Sequence, residues 1–226
     1  VKAQIMKKLL FLLSIVFMLS SCGKSDEEKL NDMIAEATKA SLYIPESYDP
    51  VSTECDTLGR DFINKANIKK SAKIISLVRE AQSVQSQIER DAEQRDYWRG
   101  KYGEFFSDYS KKVQRGEEKR NELKAQANKL FAELITDYNT NREFCGFIVE
   151  HKFRAKNNMG NVMFGDIIYI LNKDKTEIVD AYDTSDDDFF GFIQMTGAMQ
   201  EIGENYNLEE INLEEICDNI KSRFEL

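Results

Sequence analysis

Histidine occurs once in this chain, at His151, and proline twice, at Pro45 and Pro50. One histidine leaves no HExxH helix and no His-rich metal set, and the glycine-rich phosphate loops P-loop and GxGxxG are also missing. Cysteine is sparse too: four residues, none in a CxxC pair and none beside the histidine, so zinc spacing is absent. Basic residues are outnumbered, 31 against 40, and the net charge is −9. That balance excludes the basic footprint a nucleic-acid binder needs to displace phosphate counterions. It also excludes electrostatic adhesion to anionic lipid. Both prolines fall within one hexapeptide, so long unbroken helices are permitted everywhere else.

Long apolar runs are equally scarce. The one pronounced run, Leu9 to Leu19, follows Lys7 and Lys8 and is broken only by Ser14. Its length suits the apolar region of a secretory signal, about 7–15 residues, and falls short of the ~20 needed to span a bilayer. It ends in Leu19-Ser20-Ser21-Cys22, which resembles a bacterial lipobox. The resemblance implies cleavage between Ser21 and Cys22, a signal peptide over 1–21 and acylation of Cys22. Each buried CH₂ of an acyl chain contributes about 0.8 kcal/mol, so two or more chains hold a protein on a membrane without spanning it. Residues 22–29, with Asp26, Glu27 and Glu28, read as an acidic tether. Loss of Lys2, Lys7 and Lys8 with the signal takes the net charge from −9 to −12.

Three cysteines then remain: Cys55, Cys145 and Cys217. In an oxidising envelope an odd number allows one internal bridge and leaves one thiol. They read as small buried apolar residues, with Cys55–Cys145 the pair to test.

Periodicity divides the rest. Leu30, Met33, Ile34, Ala37 and Leu42 recur at helical spacing up to the break at Pro45. Val51, Thr53, Cys55 and Thr57 alternate with polar residues, the pattern of a half-buried strand. From 66 to 138 proline is absent and heptads appear: Ile74, Leu77, Ala81, Val84 and Ile88, a polar stretch of the frame at Asp91 and Arg95, then Val113, Arg120, Leu123, Ala127, Leu130, Leu134 and Tyr138. Between them "DYWRGKYGEFFSDYS" carries two glycines and six aromatics, where the chain can reverse. The expectation is an antiparallel, coiled-coil-like helical hairpin. Cys145, Phe147, Val149, His151 and Phe153 then share one strand face, "NNMGN" makes a turn, and "VMFGDIIYIL" reads as a central strand. "TEIVDAY" supplies a further strand. Two helices close the chain, one from about Asp186 and one through Leu213, Ile216, Ile220 and Phe224. The repeat "NLEEINLEEI" offers Asn207 and Asn212 as alternative caps for the last.

The fold class expected is α+β: a small antiparallel sheet with flanking helices and a long inserted antiparallel helical hairpin. Its divisions are 30–65 with 139–226 for the α+β domain and 66–138 for the insertion. "SLYIPESYDPVS" and "HKFRAKNNMGNVMFGDIIYILNKD" resemble a group of Bacteroidota lipoproteins of unknown function. That resemblance implies the arrangement just described, an outer-membrane anchor and a surface or periplasmic location. It implies no activity.

Candidate chemistry is thin. His151 falls on an apolar strand face. A Cys145–His151 dyad is awkward, since six residues of strand span ~20 Å. The acids of "DAYDTSDDD" fail a calcium loop begun at Asp183, which would put Asp188 at the turn glycine and Gln194 at the bidentate glutamate. No metal or cofactor is expected, and the acids suit a helix start. The aromatic tip, with Trp98, Tyr102, Phe105 and Phe106, is the candidate contact surface. Two functions follow. The first is a non-enzymatic envelope lipoprotein that meets another envelope protein or a surface polymer. The second is a small-ligand carrier or enzyme with a pocket in the sheet formed by His151, Arg154 and Asp166. Convergence of those three side chains discriminates between them.

Overall fold

The computed structural model describes residues 24–140, 143–202 and 211–222. It has one four-stranded antiparallel sheet in the order β1-β2-β3-β4 and a pair of long helices, the α+β class with a helical hairpin. The chain forms two compact units. The first runs to Asp61 and resumes over Glu143–Asp186; the second takes Phe62 to the end of the second long helix and everything from Asp187.

The first unit begins with α1 (Asp26–Ser41), whose start is a capping box. The Glu28 amide donates to Ser25 Oγ at 3.1 Å and the Ser25 amide to Glu28 Oε2 at 2.8 Å. A single 3₁₀ turn over Pro45–Ser47 leads into β1 (Asp49–Leu58). Then come β2 (Gly146–Lys156), β3 (Val162–Leu171) and β4 (Ile178–Asp183). Register puts Thr53, His151 and Ile167 in one row across the sheet, and Cys55, Val149, Tyr169 and Ala181 in another. The apolar stripe of α1, Leu30, Met33, Ile34 and Ala37, packs on this face against Val149, Tyr169 and Leu171. Thr38 is fully buried in the same layer; its hydroxyl donates to the Ile34 carbonyl at 2.8 Å and meets the Tyr169 hydroxyl at 2.9 Å.

β1 departs from the half-buried alternation expected of it. Cys55 and Thr57 are exposed, because β1 is an edge strand and its outer neighbour is solvent. A register shift between Pro50 and Ser52, where proline cannot donate to the ladder, loosens it further.

The second unit is built on α2 (Lys65–Trp98) and α3 (Gly103–Thr140), about 51 and about 57 Å long at 1.5 Å per residue. Asn64 caps α2 by accepting from the Ala66 and Asn67 amides at 3.1 and 3.0 Å. The chain reverses at Arg99–Tyr102, where Gly100 takes φ +76°. Ile74, Leu77, Ala81 and Ile88 face Val113, Leu123, Ala127 and Leu134 as buried residues. The seam drifts from the heptad frame near its end, since Phe131 and Ile135 are buried and Leu130 is only half-buried. Opposite Ile88 sits Gly116, where a Cβ would come within 2.6 Å of the Ile88 side chain, so glycine permits the close approach.

The division of the chain corrects the expected boundaries: α4 (Asp187–Ile202) and α5 (Leu213–Ser222) belong with the hairpin, apart from the sheet. Their apolar faces require a partner, and α2 provides it. Phe192, Met195 and Met199 are fully buried; Phe62 stacks on Phe192 at 5.3 Å, and Ser71 Oγ donates to Met195 Sδ at 3.5 Å. α5 joins through Gln82 to Asp218 at 2.8 Å and Lys124 to Glu214 at 2.9 Å. Of the two alternative caps, Asn212 starts α5, receiving the Glu215 amide on its side chain at 3.4 Å. Asn207 and Phe224 lie outside the described residues.

Candidate functional site

The end of the long hairpin carries aromatics that the two-helix core cannot absorb. Where the polar stretch of Asp91 and Arg95 ends, the apolar frame resumes at Trp98, but only one short turn remains to cover it. Trp98 becomes the hub. Tyr97 meets its ring edge-on at 4.9 Å, Tyr102 at 5.7 Å, and Phe105 stacks on it at 5.2 Å. Such pairs are worth about 0.5–1.5 kcal/mol each beyond area burial, so the rings hold one another in place. Their outer surfaces stay in solvent: Tyr97 is 57%, Tyr102 62% and Phe105 50% exposed. Trp98 and Phe106 are half-buried. Cations frame the cluster, with Lys101 Nζ 3.6 Å from the Tyr97 ring centre and Arg99 6.0 Å from that of Phe106. Chemically, this is a set of flat, partly apolar faces with hydroxyl and indole edges, suited to stacking.

The three polar residues of the alternative pocket do not converge. His151 points into the α1 side of the sheet, in the row of Thr53 and Ile167. Arg154 and Asp166 are set on the other face, Asp166 directly across from Lys152. The parity of a strand decides this, because positions 151 and 154 project to opposite faces. His151 is buried, with both nitrogens engaged: Nε2 lies 3.0 Å from the Tyr48 hydroxyl and Nδ1 2.9 Å from the Thr53 hydroxyl. Its ring stacks on Phe153 at 5.7 Å. Burial pulls its pKa below the ordinary value, so the neutral imidazole is favoured. It is a packed core histidine. Arg154 instead approaches Asp49 at 3.8 Å and lies 5.2 Å over the Phe164 ring. Asp166 has one buried carboxylate oxygen without a hydrogen-bond partner. Burial, then the nearby Glu150, push its pKa up, against the pull of Lys152.

The Cys55–Cys145 pairing fails on register. Cys55 lies opposite Val149, four positions from Cys145, and ~13 Å of strand separates them where a disulfide tolerates about 7 Å. Cys217 is buried as expected, and burial raises its thiol to about 12. Cys55 is exposed rather than buried.

The acid cluster serves the chain locally. Asp183 Oδ1 accepts from the Ser185 amide at 2.8 Å and hydroxyl at 2.6 Å, and Asp187 and Asp188 occupy the first turn of α4. Among the described residues no three His, Cys, Asp or Glu side chains gather as a metal set. Beside this helix start an open groove of about 480 Å³ is lined by Ile75, Ser76, Arg79, Asp187, Asp188 and Gly191. Its two acids offset its one arginine. Ser21, Cys22 and the whole signal segment lie outside the described residues. No described helix is long and apolar enough to cross a membrane.

Sequence reasoning overlooked a second exposed apolar patch. Met159, Val162, Met163 and Phe164, at the β2–β3 turn, are 80%, 60%, 55% and 76% exposed. "VMFGDIIYIL" reads as a central strand towards its apolar end, and β4 accompanies it only from Ile167 onward. The signal that could have found the patch is the length mismatch between "VMFGDIIYIL" and the shorter "TEIVDAY".

Comparison with protein-family models, with curated proteins and with solved structures returned no match.

Proposed function

We propose that this chain is a lipid-anchored cell-envelope protein that binds and does not catalyse, its contact surface being the aromatic end of the α2–α3 hairpin. The anchor rests on Leu19-Ser20-Ser21-Cys22 behind a short apolar segment. The observation that carries the binding surface is the cluster of Tyr97, Tyr102 and Phe105 around Trp98, left at least half exposed although every ring has an aromatic neighbour. Fixed rings lose little freedom on binding, which favours an interface of this composition. The partner that fits is another envelope protein or a surface polymer whose apolar or sugar faces stack on the rings. The carrier or enzyme alternative loses its centre, because His151 is committed to Tyr48 and Thr53 on the face away from Arg154 and Asp166.

The experiment has two arms. Cells expressing the chain are labelled with a fatty-acid analogue; label should appear on the wild type and vanish from Cys22→Ala, and label retained on the variant overturns the anchor. The envelope is then probed with wild type and with Trp98→Ala/Phe105→Ala. Loss of one specific partner with an unchanged melting curve supports the tip. Unchanged capture, or a tip variant that fails to fold, overturns it.

A further inference from the structure

The β2–β3 ribbon outgrows the sheet that supports it. β4 pairs with β3 only from Ile167 to Leu171, and Thr184 closes that side by donating its amide and hydroxyl to the Asp166 carbonyl, both at 3.1 Å. Val162 to Gly165 therefore form an open strand edge. In an antiparallel ladder alternate residues turn both backbone groups to the same side. Asp166 faces outward through its carbonyl, so Phe164 and Val162 face outward as well. The turn agrees: the Asn157 amide donates to the Asn161 carbonyl at 2.9 Å, which makes Asn161 and Met163 the inward residues. Among the described residues no group pairs with the outward amides and carbonyls of Val162 and Phe164.

This edge lacks the usual guards, since its side chains are Val162, Met163 and Phe164, all more than half exposed. β1, the other long edge, is guarded by Pro50, a register shift and the acids Glu54 and Asp56. The charge around the two edges differs in sign. From His151 to Gly165 there is no acid, while Lys152, Arg154 and Lys156 stand in a row on the face that also bears Val162 and Phe164. Lys152 is met by Glu150 at 2.7 Å and Arg154 loosely by Asp49, but Lys156 has no carboxylate among the described residues.

We infer that the open edge of β3 at Val162–Gly165 receives an extended segment of another protein as an added strand, one whose side chains alternate between apolar and acidic. The backbone groups of Val162 and Phe164 supply the pairing, Met163 the apolar contact on one face, and on the other face Lys156 and Arg154, held over the Phe164 ring, select the acids. A bilayer is the poorer occupant. The outward amides and carbonyls of Val162 and Phe164 would stay unpaired against lipid, whereas an added strand satisfies them. This surface is independent of the aromatic tip.

The test pans a random twelve-residue phage-displayed peptide library on the full chain without its signal segment, then measures synthetic winners by fluorescence anisotropy. Enriched sequences should alternate apolar and acidic residues, and binding should protect the Phe164 amide from hydrogen exchange. Phe164→Ser and, separately, Arg154→Glu should each weaken the winners about tenfold or more, a loss of ~1.4 kcal/mol. Both side chains are solvent-facing, so melting curves should not change. Absence of enrichment, winners without acids, or affinity indifferent to both variants would overturn the inference. So would an edge already occupied by a second copy in sedimentation, or binding to anionic vesicles that Phe164→Ser abolishes.

Discussion

Replacing Gly165 by alanine tests the packing that fixes the sheet face beneath α1. A Cβ there would stand 2.3 Å from Phe153 Cζ and 2.7 Å from both Cε atoms, distances real contacts do not reach. The ring has nowhere to go. Phe153 is 6% exposed, its centroid lies 6.0 Å from Tyr48 and 5.7 Å from His151, and His151 is held by two hydroxyls. Overpacking of this kind costs about 1–3 kcal/mol. Against that, alanine restricts the unfolded chain and suits a strand better, a gain of about 0.5–1 kcal/mol. Taking the middle of each range, about 2 against about 0.75, the expected net loss is ~1 kcal/mol, enough to lower a urea midpoint by about 0.5 M for a slope near 2 kcal/mol per molar. Because Trp98 belongs to the other unit, the assay must read this one: hydrogen exchange of β2 and β3 amides across a urea series. In Phe153→Leu/Gly165→Ala the clash should be relieved, giving a coupling of about 1 kcal/mol between the two positions. A Gly165→Ala variant as stable as the parent refutes the reasoning, and so does a loss that simply adds to that of Phe153→Leu.

Three further outcomes follow from the same geometry. Since burial holds the His151 pKa below its ordinary 6.5, its contribution to stability is complete above pH ~6.5 and declines as pH falls toward the folded value. An acid titration should show that limb weakened in His151→Gln; an unchanged limb contradicts it. Thr38→Val keeps the shape of α1 but strands the Tyr169 hydroxyl, whose pKa burial has pushed to about 12, and should cost about 1–3 kcal/mol by thermal melting. Replacing residues 66–138 by a glycine-serine linker removes the partner of Phe192, Met195 and Met199, so α4 and α5 should become protease-sensitive while the β2–β3 amides stay protected. Retained protection of α4 would show that the terminal helices do not depend on the hairpin.

The sequence by itself determined the elements. Helical spacing located α1 and the two arms of the hairpin, period-two alternation located the strands, and Gly100 and Gly160 fell at turns with φ +76° and +80°. These are local properties: one face of each element must be apolar, and the pattern records which. Tertiary structure decided what each face meets. Strand parity, already present in the sequence, sends His151 and Arg154 to opposite faces, and register then sets Asp166 across from Lys152 on the face of Arg154. Cys55 and Cys145 separated because register sets Cys55 opposite Val149, four positions along from Cys145. The terminal helices joined α2 because an apolar stripe names no partner, and only packing chose between the sheet and the hairpin. The Val162–Phe164 patch carries the residues of a buried strand, and it is exposed because β4 stops short of it. Periodicity along one strand carries no information about the length of its neighbour.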